Sequence, residues 1–118
     1  MPNLSTRDSD LYRIGHMISF CEKLIAIAKE AEEPISEVTY LALLRLFETL
    51  GEAASKVSAE TRNAHPQIPW VDAIDTRNRF IHGYADLDYS TVWRTIEEDI
   101  PLLLEQLLQL HKELEASR

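Results

Sequence analysis

The chain has 118 residues, of which 45% are hydrophobic and 27% are charged, and its three glycines and five prolines are typical of one globular, helix-rich domain. The single cysteine, Cys21, excludes an internal disulfide, and no apolar run approaches the roughly 20 residues of a membrane span, so we expect a cytoplasmic protein outside the membrane. A net charge of −8 argues against a protein that coats nucleic acid with a basic surface.

The negative charge is unevenly distributed along the chain. Residues 62–94 carry four acidic residues against four cations, and all four cations are arginines. These are Arg62, Arg77, Arg79 and Arg94. Arginine suits bidentate contact with phosphate or carboxylate. We therefore expect an anionic ligand, if one binds, to bind in this segment.

Apolar residues recur at alternating steps of three and four in the first half of the chain, which predicts two amphipathic helices. The first helix is predicted from Asp10 to about Glu32, with residues 1–9 as a flexible tail. The second is predicted to begin after an N-cap at Ser36 and to end near Ser58. Cys21 lies on the apolar face of the first helix, and we interpret it as a core residue and not as a nucleophile.

A polar connector is predicted for residues 59–68. Pro69 suits the first turn of a third helix, because its missing N–H would have no partner there. This helix is predicted to reach about Ile81, and Gly83 is placed to end it.

A fourth helix is predicted to open near Asp88 and to carry apolar residues at heptad spacing. Pro101 should kink this helix or split it in two. The heptad has two interpretations, since it either fills the bundle core or forms in part a dimer face. The predicted fold is all-α, an antiparallel four-helix bundle in residues 10–118, or a five-helix bundle if Pro101 breaks the last helix.

The segment RNRFIHGY, residues 77–84, lies where the third helix should stop. On a helical wheel Arg77 falls in the middle of the apolar stripe of this helix. A guanidinium left unpaired in a core costs several kcal/mol. Arg77 must therefore be paired, reach the end of the bundle, or face something other than core.

The neighbouring polar residues lie at the edge of this stripe or opposite it. Asn78 and His82 are four residues apart, so their side chains can meet. Asp75 and Arg79 have the spacing of a weak surface ion pair, and Arg79 is either structural or a second phosphate contact.

Arg77 and His82 are the residues that need a special explanation. They point about 140° apart on a regular helix, so one copy directs both at one atom only if the helix end unwinds at Gly83. Two copies of the chain around a two-fold axis would instead bring one of each into a shared cleft. A histidine that moves protons near neutral pH and an arginine that stabilises a charged phosphorane are enough for RNA to be cleaved by its own 2′-hydroxyl. Such a reaction needs no metal.

A structural interpretation stays open from spacing alone. His82 would then cap the helix end, and Arg77 would extend its charge to solvent. The other histidines show no metal-ligand spacing, and no glycine-rich phosphate loop occurs, so we expect neither a metal nor a cofactor.

The segment resembles the R-x-x-x-x-H-x-Y motif of the HepT-like branch of the HEPN superfamily. Flanking stretches are similar as well: LFETLGEAASKVS in the second helix, HPQIPW before the third, and DYSTVW after the motif. The resemblance extends from about Asp10 to Leu114.

This resemblance implies a HEPN-like helical bundle that forms a homodimer, with Arg77 and His82 as the catalytic pair and Asn78 as a supporting residue. It implies a metal-independent endoribonuclease acting on mRNA or tRNA, the toxin of a type VII-like toxin-antitoxin pair. The implied partner is a minimal nucleotidyltransferase antitoxin that transfers AMP to Tyr84. Adenylylation there would add bulk and negative charge two residues from His82.

Two further functional interpretations compete with a ribonuclease. The chain could be a noncatalytic module that binds a nucleotide or a nucleotidyltransferase partner. It could also be a purely structural helical dimer.

Overall fold

The computed structural model describes residues 5–32, 35–82 and 89–117, with the backbone alone for residues 79–82. The described ranges contain helices and no strand, which confirms the all-α prediction. In chain order the elements are α1 (Thr6–Glu30), α2 (Glu37–Lys56), α3 (Ala59–Ala64), α4 (Trp70–His82), α5 (Tyr89–Arg94), a π-helical segment (Thr95–Asp99) and α6 (Ile100–Ala116).

The first three helices each begin after a serine cap. Ser36 accepts a hydrogen bond from the backbone N–H of Thr39 at 3.1 Å, which confirms it as the N-cap of α2. The predicted start of α1 at Asp10 was wrong, because Ser5 caps the backbone N–H of Asp8 at 3.0 Å and the helix begins at Thr6. Residues 6–9 are thus helical and do not belong to a tail.

The predicted connector at residues 59–68 was also wrong in part, because it contains α3. Ser58 caps this short helix by accepting a hydrogen bond from the Thr61 N–H at 3.2 Å. Asp10, only 1% exposed, accepts hydrogen bonds from Ser58 N, Ser58 Oγ and Thr61 Oγ1 at 2.8, 2.7 and 2.6 Å. This buried carboxylate joins the start of α1 to the start of α3, just beyond the end of α2.

The interruption predicted at Pro101 takes the form of a widened turn within the helical stretch 89–116. Proline has no N–H, and its ring crowds the carbonyl four residues earlier. The chain adapts in the preceding π-helical segment, where the Ile100 N–H donates to the Thr95 carbonyl five residues back. The last helix therefore continues past Pro101 without a break.

The core lies where α1 packs against both α2 and α6, and α2 also packs against α4. The start of α1 lies beside the end of α6, since the Arg7 guanidinium donates to the Ser117 carbonyl at 2.9 Å. With the Asp10 contacts to the end of α2, this makes α1 antiparallel to both neighbours. In the part of the chain that the structure describes, no helix combines the length and apolarity that crossing a bilayer demands.

The heptad residues of the last helix fill this core, which confirms the core interpretation for them. The buried positions are Ile96, Ile100, Leu103, Leu107 and Leu110. Cys21 is fully buried as predicted, and this burial raises the pKa of its thiol to about 12. A thiol of that pKa is a packing residue and not a nucleophile.

Candidate active site

The motif helix α4 packs against α2 at a close crossing centred on Gly51. A Cβ atom built on Gly51 would lie 2.5 Å from the Arg77 Cβ and 2.7 Å from the Ala73 carbonyl oxygen. Only a residue without a side chain fits this position. The crossing brings the backbone of Arg77 directly against α2.

Arg77 is half-buried at this crossing and is paired, as the first of the predicted alternatives required. Its Nη1 donates to Glu52 Oε2 at 2.6 Å. Its Nε and Nη2 both donate to Asn78 Oδ1, at 3.4 and 3.3 Å. The planar guanidinium is thus held on two sides, by α2 and by its own neighbour in α4.

Glu52 is shared by two cations. Lys56, one turn later in α2, places Nζ 3.4 Å from Glu52 Oε1 while Arg77 takes Oε2. The hydrogen bond from Arg77 lowers the pKa of the Glu52 carboxyl, and the hydrogen bond from Lys56 lowers it further. Glu52 therefore stays ionised to lower pH than an ordinary glutamate.

The motif residues differ in how much the structure reports about them. Asn78 is exposed and contacts Arg77, while its predicted contact with His82 stays a prediction. His82 is the last residue of α4, and its side chain, like that of Arg79, lies outside the described residues. Gly83 and Tyr84 lie outside them entirely. The catalytic pairing of Arg77 with His82 therefore stays a prediction.

Glu52 was not predicted as a site residue, because it lies 25 positions before its partner Arg77. A signal for it was present, because a glycine inside an apolar helix often marks the close approach of another backbone. The residue after such a glycine is well placed to contact the crossing helix.

Trp70, at the start of α4, is buried and donates its indole N–H to the His65 carbonyl at 3.0 Å, which makes it a core residue.

A groove of about 370 Å³ opens beside α4. It lies between α2, α4 and the last helix, and it meets α4 at Asp72, Ala73 and Thr76 without including Arg77. Among the residues that the structure describes, no cluster of three His, Cys, Asp or Glu side chains could hold a metal ion.

The Arg77 side chain is suited to binding an oxyanion. A guanidinium has five N–H donors, and the contacts with Glu52 and Asn78 occupy three of them. One N–H on Nη1 and one on Nη2 are not used by any described residue. Guanidinium N–H groups of this kind are the donors that phosphate oxygens accept in arginine–phosphate contacts.

Comparison with known proteins identifies the family of the chain. Residues 14–110 match the family described as "Ribonuclease HepT-like". The chain is 35% identical over 74 residues to "Probable ribonuclease HepT" of Thermococcus cleftensis, covering 63% of this chain and 67% of the relative. It is 31% identical over 102 residues to a "Putative RNase" of Methanocaldococcus jannaschii, covering 84% and 88% of the two chains.

A third relative is a "Putative RNase" of Caldanaerobacter subterraneus, 32% identical over 100 residues, with 82% of this chain and 89% of the relative covered. No solved structure matches the chain. The family match spans the α2–α4 crossing and the whole motif segment. The chain belongs to the ribonuclease HepT-like family.

Proposed function

We propose that this protein is a metal-independent endoribonuclease in which Arg77 and His82 act on the scissile phosphate. The observation that carries the proposal is the Arg77 guanidinium, held half-buried by Glu52 and Asn78 with donors left for an anion, five positions before His82. Membership of a family described as ribonucleases supports RNA as the substrate.

In the proposed reaction the neutral His82 imidazole removes the proton of a ribose 2′-hydroxyl. The 2′-oxygen attacks phosphorus while the bond to the 5′-oxygen breaks. Arg77 stabilises the negative charge on the non-bridging oxygens, and a second acid, a water or another histidine, protonates the leaving 5′-oxygen. The products are a 2′,3′-cyclic phosphate and a 5′-hydroxyl. The nucleophile belongs to the RNA itself, which is why no metal is needed to generate one.

The proposed active unit is a homodimer. On one regular helix Arg77 and His82 point about 140° apart, so a single α4 does not direct both at one phosphate. A two-fold axis near the end of α4 would let each chain supply residues to a shared cleft. Arg79 is proposed as a second phosphate contact in that cleft.

The proposed biological role is that of a toxin in a type VII-like toxin-antitoxin pair, acting on mRNA or tRNA. The proposed antitoxin is a minimal nucleotidyltransferase that adds AMP to Tyr84. A phosphodiester on Tyr84, two residues from His82, would place negative charge where the RNA phosphate must bind. The toxin would then be inactive for as long as AMP is attached to Tyr84.

The test is induced expression of the wild type and of His82→Ala, Arg77→Ala and Tyr84→Phe, followed by analysis of RNA ends. His111→Ala is the matched control, because His111 lies on α6 and pairs with Glu115 at 2.9 Å. We expect the wild type and His111→Ala to arrest growth and to leave 2′,3′-cyclic phosphates, and folded His82→Ala and Arg77→Ala to do neither.

Tyr84→Phe should remain toxic when the nucleotidyltransferase is co-expressed, whereas the wild type should be silenced and gain the mass of AMP. Cleavage by the purified wild type should persist in EDTA. Intact RNA in cells that express the wild type without an antitoxin would refute the ribonuclease and favour the noncatalytic partner module.

A further inference from the structure

We propose that Glu52 is the positioning residue of the cleavage site. Its carboxylate holds the Arg77 guanidinium in the orientation that meets the scissile phosphate. This inference rests on the ribonuclease function proposed above, and it assigns to α2 a part in a site that the motif alone would confine to α4.

The contacts restrain Arg77 from two directions. Glu52 Oε2 binds Nη1 at 2.6 Å, and Asn78 Oδ1 binds Nε and Nη2 at 3.4 and 3.3 Å. Contacts to different nitrogens of a planar group prevent its rotation, since turning the plane breaks both. The N–H donors that the described residues leave unused are then held in place with the plane, which reduces the entropy lost when a phosphate binds.

The acceptor is itself held in place. Lys56 Nζ lies 3.4 Å from the other oxygen of Glu52, so both oxygens of the carboxylate face a cation. Gly51, the preceding residue, allows the close crossing that brings Glu52 within reach of Arg77. Glu52 therefore links Lys56 on α2 to Arg77 on α4.

Stability alone does not account for this pair. The Glu52 and Arg77 side chains are 49% and 27% exposed, and ion pairs this open to water contribute little to folding. A carboxylate beside a phosphate-binding arginine also repels the phosphate, which weakens substrate binding. A contact that adds little stability and disfavours binding is explained if it orients the arginine for the transition state.

Loss of the positioning contact should lower kcat without raising KM. We expect Glu52→Ala to lower kcat on single-stranded RNA by roughly 10- to 100-fold, because a misdirected guanidinium loses its alignment with the transition state. KM should stay equal or fall, since a negative charge is removed from beside the phosphate. Glu52→Gln keeps a neutral acceptor at the same position and should restore part of kcat.

The matched control is Glu48→Ala. Glu48 lies one turn earlier on α2 and pairs with Arg45 at 2.8 Å on the same helix. This variant removes the same charge from the same helix, and its kcat should equal that of the wild type. A wild-type kcat in Glu52→Ala, or an equal loss in Glu48→Ala, would overturn the positioning role. Thermal unfolding of each variant separates a lost fold from a lost orientation.

A second readout does not depend on RNA cleavage. In the wild type the Arg77 Nη protons should give separate NMR signals, assigned by their loss in Arg77→Lys, because rotation about the Nε–Cζ bond is restricted. In Glu52→Ala they should average, whereas in Glu48→Ala they should not. If the wild type cleaves no RNA, the proposed ribonuclease function fails. The NMR result still tests the contact by itself: unchanged Nη signals in Glu52→Ala would refute it, and averaged signals would support it.

Discussion

Gly51→Ala tests the crossing on which the candidate site depends. The new methyl group would lie 2.5 Å from the Arg77 Cβ and 2.7 Å from the Ala73 carbonyl oxygen, whereas ordinary contact begins at 3.4 Å. Both neighbours are fixed to the α4 backbone, so no side-chain rotation relieves the clash. The two helices must separate by about 0.9 Å, the difference between 3.4 and 2.5 Å.

Two opposing contributions decide the free energy of unfolding of this variant. Overpacking of a close contact costs about 1–3 kcal/mol. Replacing glycine by alanine inside a helix contributes about 1 kcal/mol in the other direction. Gly51→Ala should therefore be destabilised by roughly 0–2 kcal/mol, and in a cleavage assay a displacement of about 1 Å at Arg77 should lower kcat by up to about 100-fold.

Gly15→Ala is the control, because Gly15 lies inside α1 and a Cβ atom there would meet nothing within 4 Å. This variant has the helix contribution without the clash, so it should be stabilised by about 1 kcal/mol. The difference between the two variants in urea unfolding isolates the overpacking, and it should be about 1–3 kcal/mol. Equal stabilisation of both variants would refute the close crossing.

Three further predictions follow from single groups. Asp10→Ala removes a buried carboxylate that accepts three hydrogen bonds and should lower the free energy of unfolding by roughly 3 kcal/mol, whereas Glu22→Ala, on the exposed face of the same helix, should change it by less than about 0.5 kcal/mol. Equal effects would contradict the buried network. Cys21, whose thiol pKa is raised to about 12 by burial, should react with a disulfide reagent at pH 8 only after denaturant unfolds the protein, and rapid labelling of the native state would show the burial to be wrong. The hydrogen bond from Arg77 lowers the pKa of the Glu52 carboxyl, so NMR should show it titrating at lower pH than an ordinary glutamate. The ion pair stabilises the fold above the pKa that Glu52 has in the unfolded chain, and this contribution is lost as pH falls through its pKa in the folded protein. A midpoint at or above the ordinary glutamate value would contradict the ion pair.

The sequence alone predicted the features that depend on local spacing. The apolar steps of three and four predicted α1, α2 and the last helix, because helix periodicity is a property of neighbouring residues. Pro69 predicted the start of α4 in the same local way. Ser36 was identified as a cap for the same reason. A disturbance of the last helix was expected at Pro101 because proline lacks an N–H, but the helix adapts by a widened turn and is not split. The short α3 was not predicted, since six residues of helix are too few to show a period. The first turn of α1, residues 6–9, was not predicted either.

A helical wheel of residues 70–81 places Arg77 on an apolar stripe, where it needs a partner, but the wheel does not identify that partner. Glu52 is 25 residues away, and only the crossing at Gly51 brings the two side chains to 2.6 Å. Asp10 and Thr61, 51 positions apart, are joined in the same way. Spacing along a chain determines which face of a helix a residue occupies, whereas the partner of a buried charge depends on which helices meet, and that was decided by the tertiary packing of the bundle.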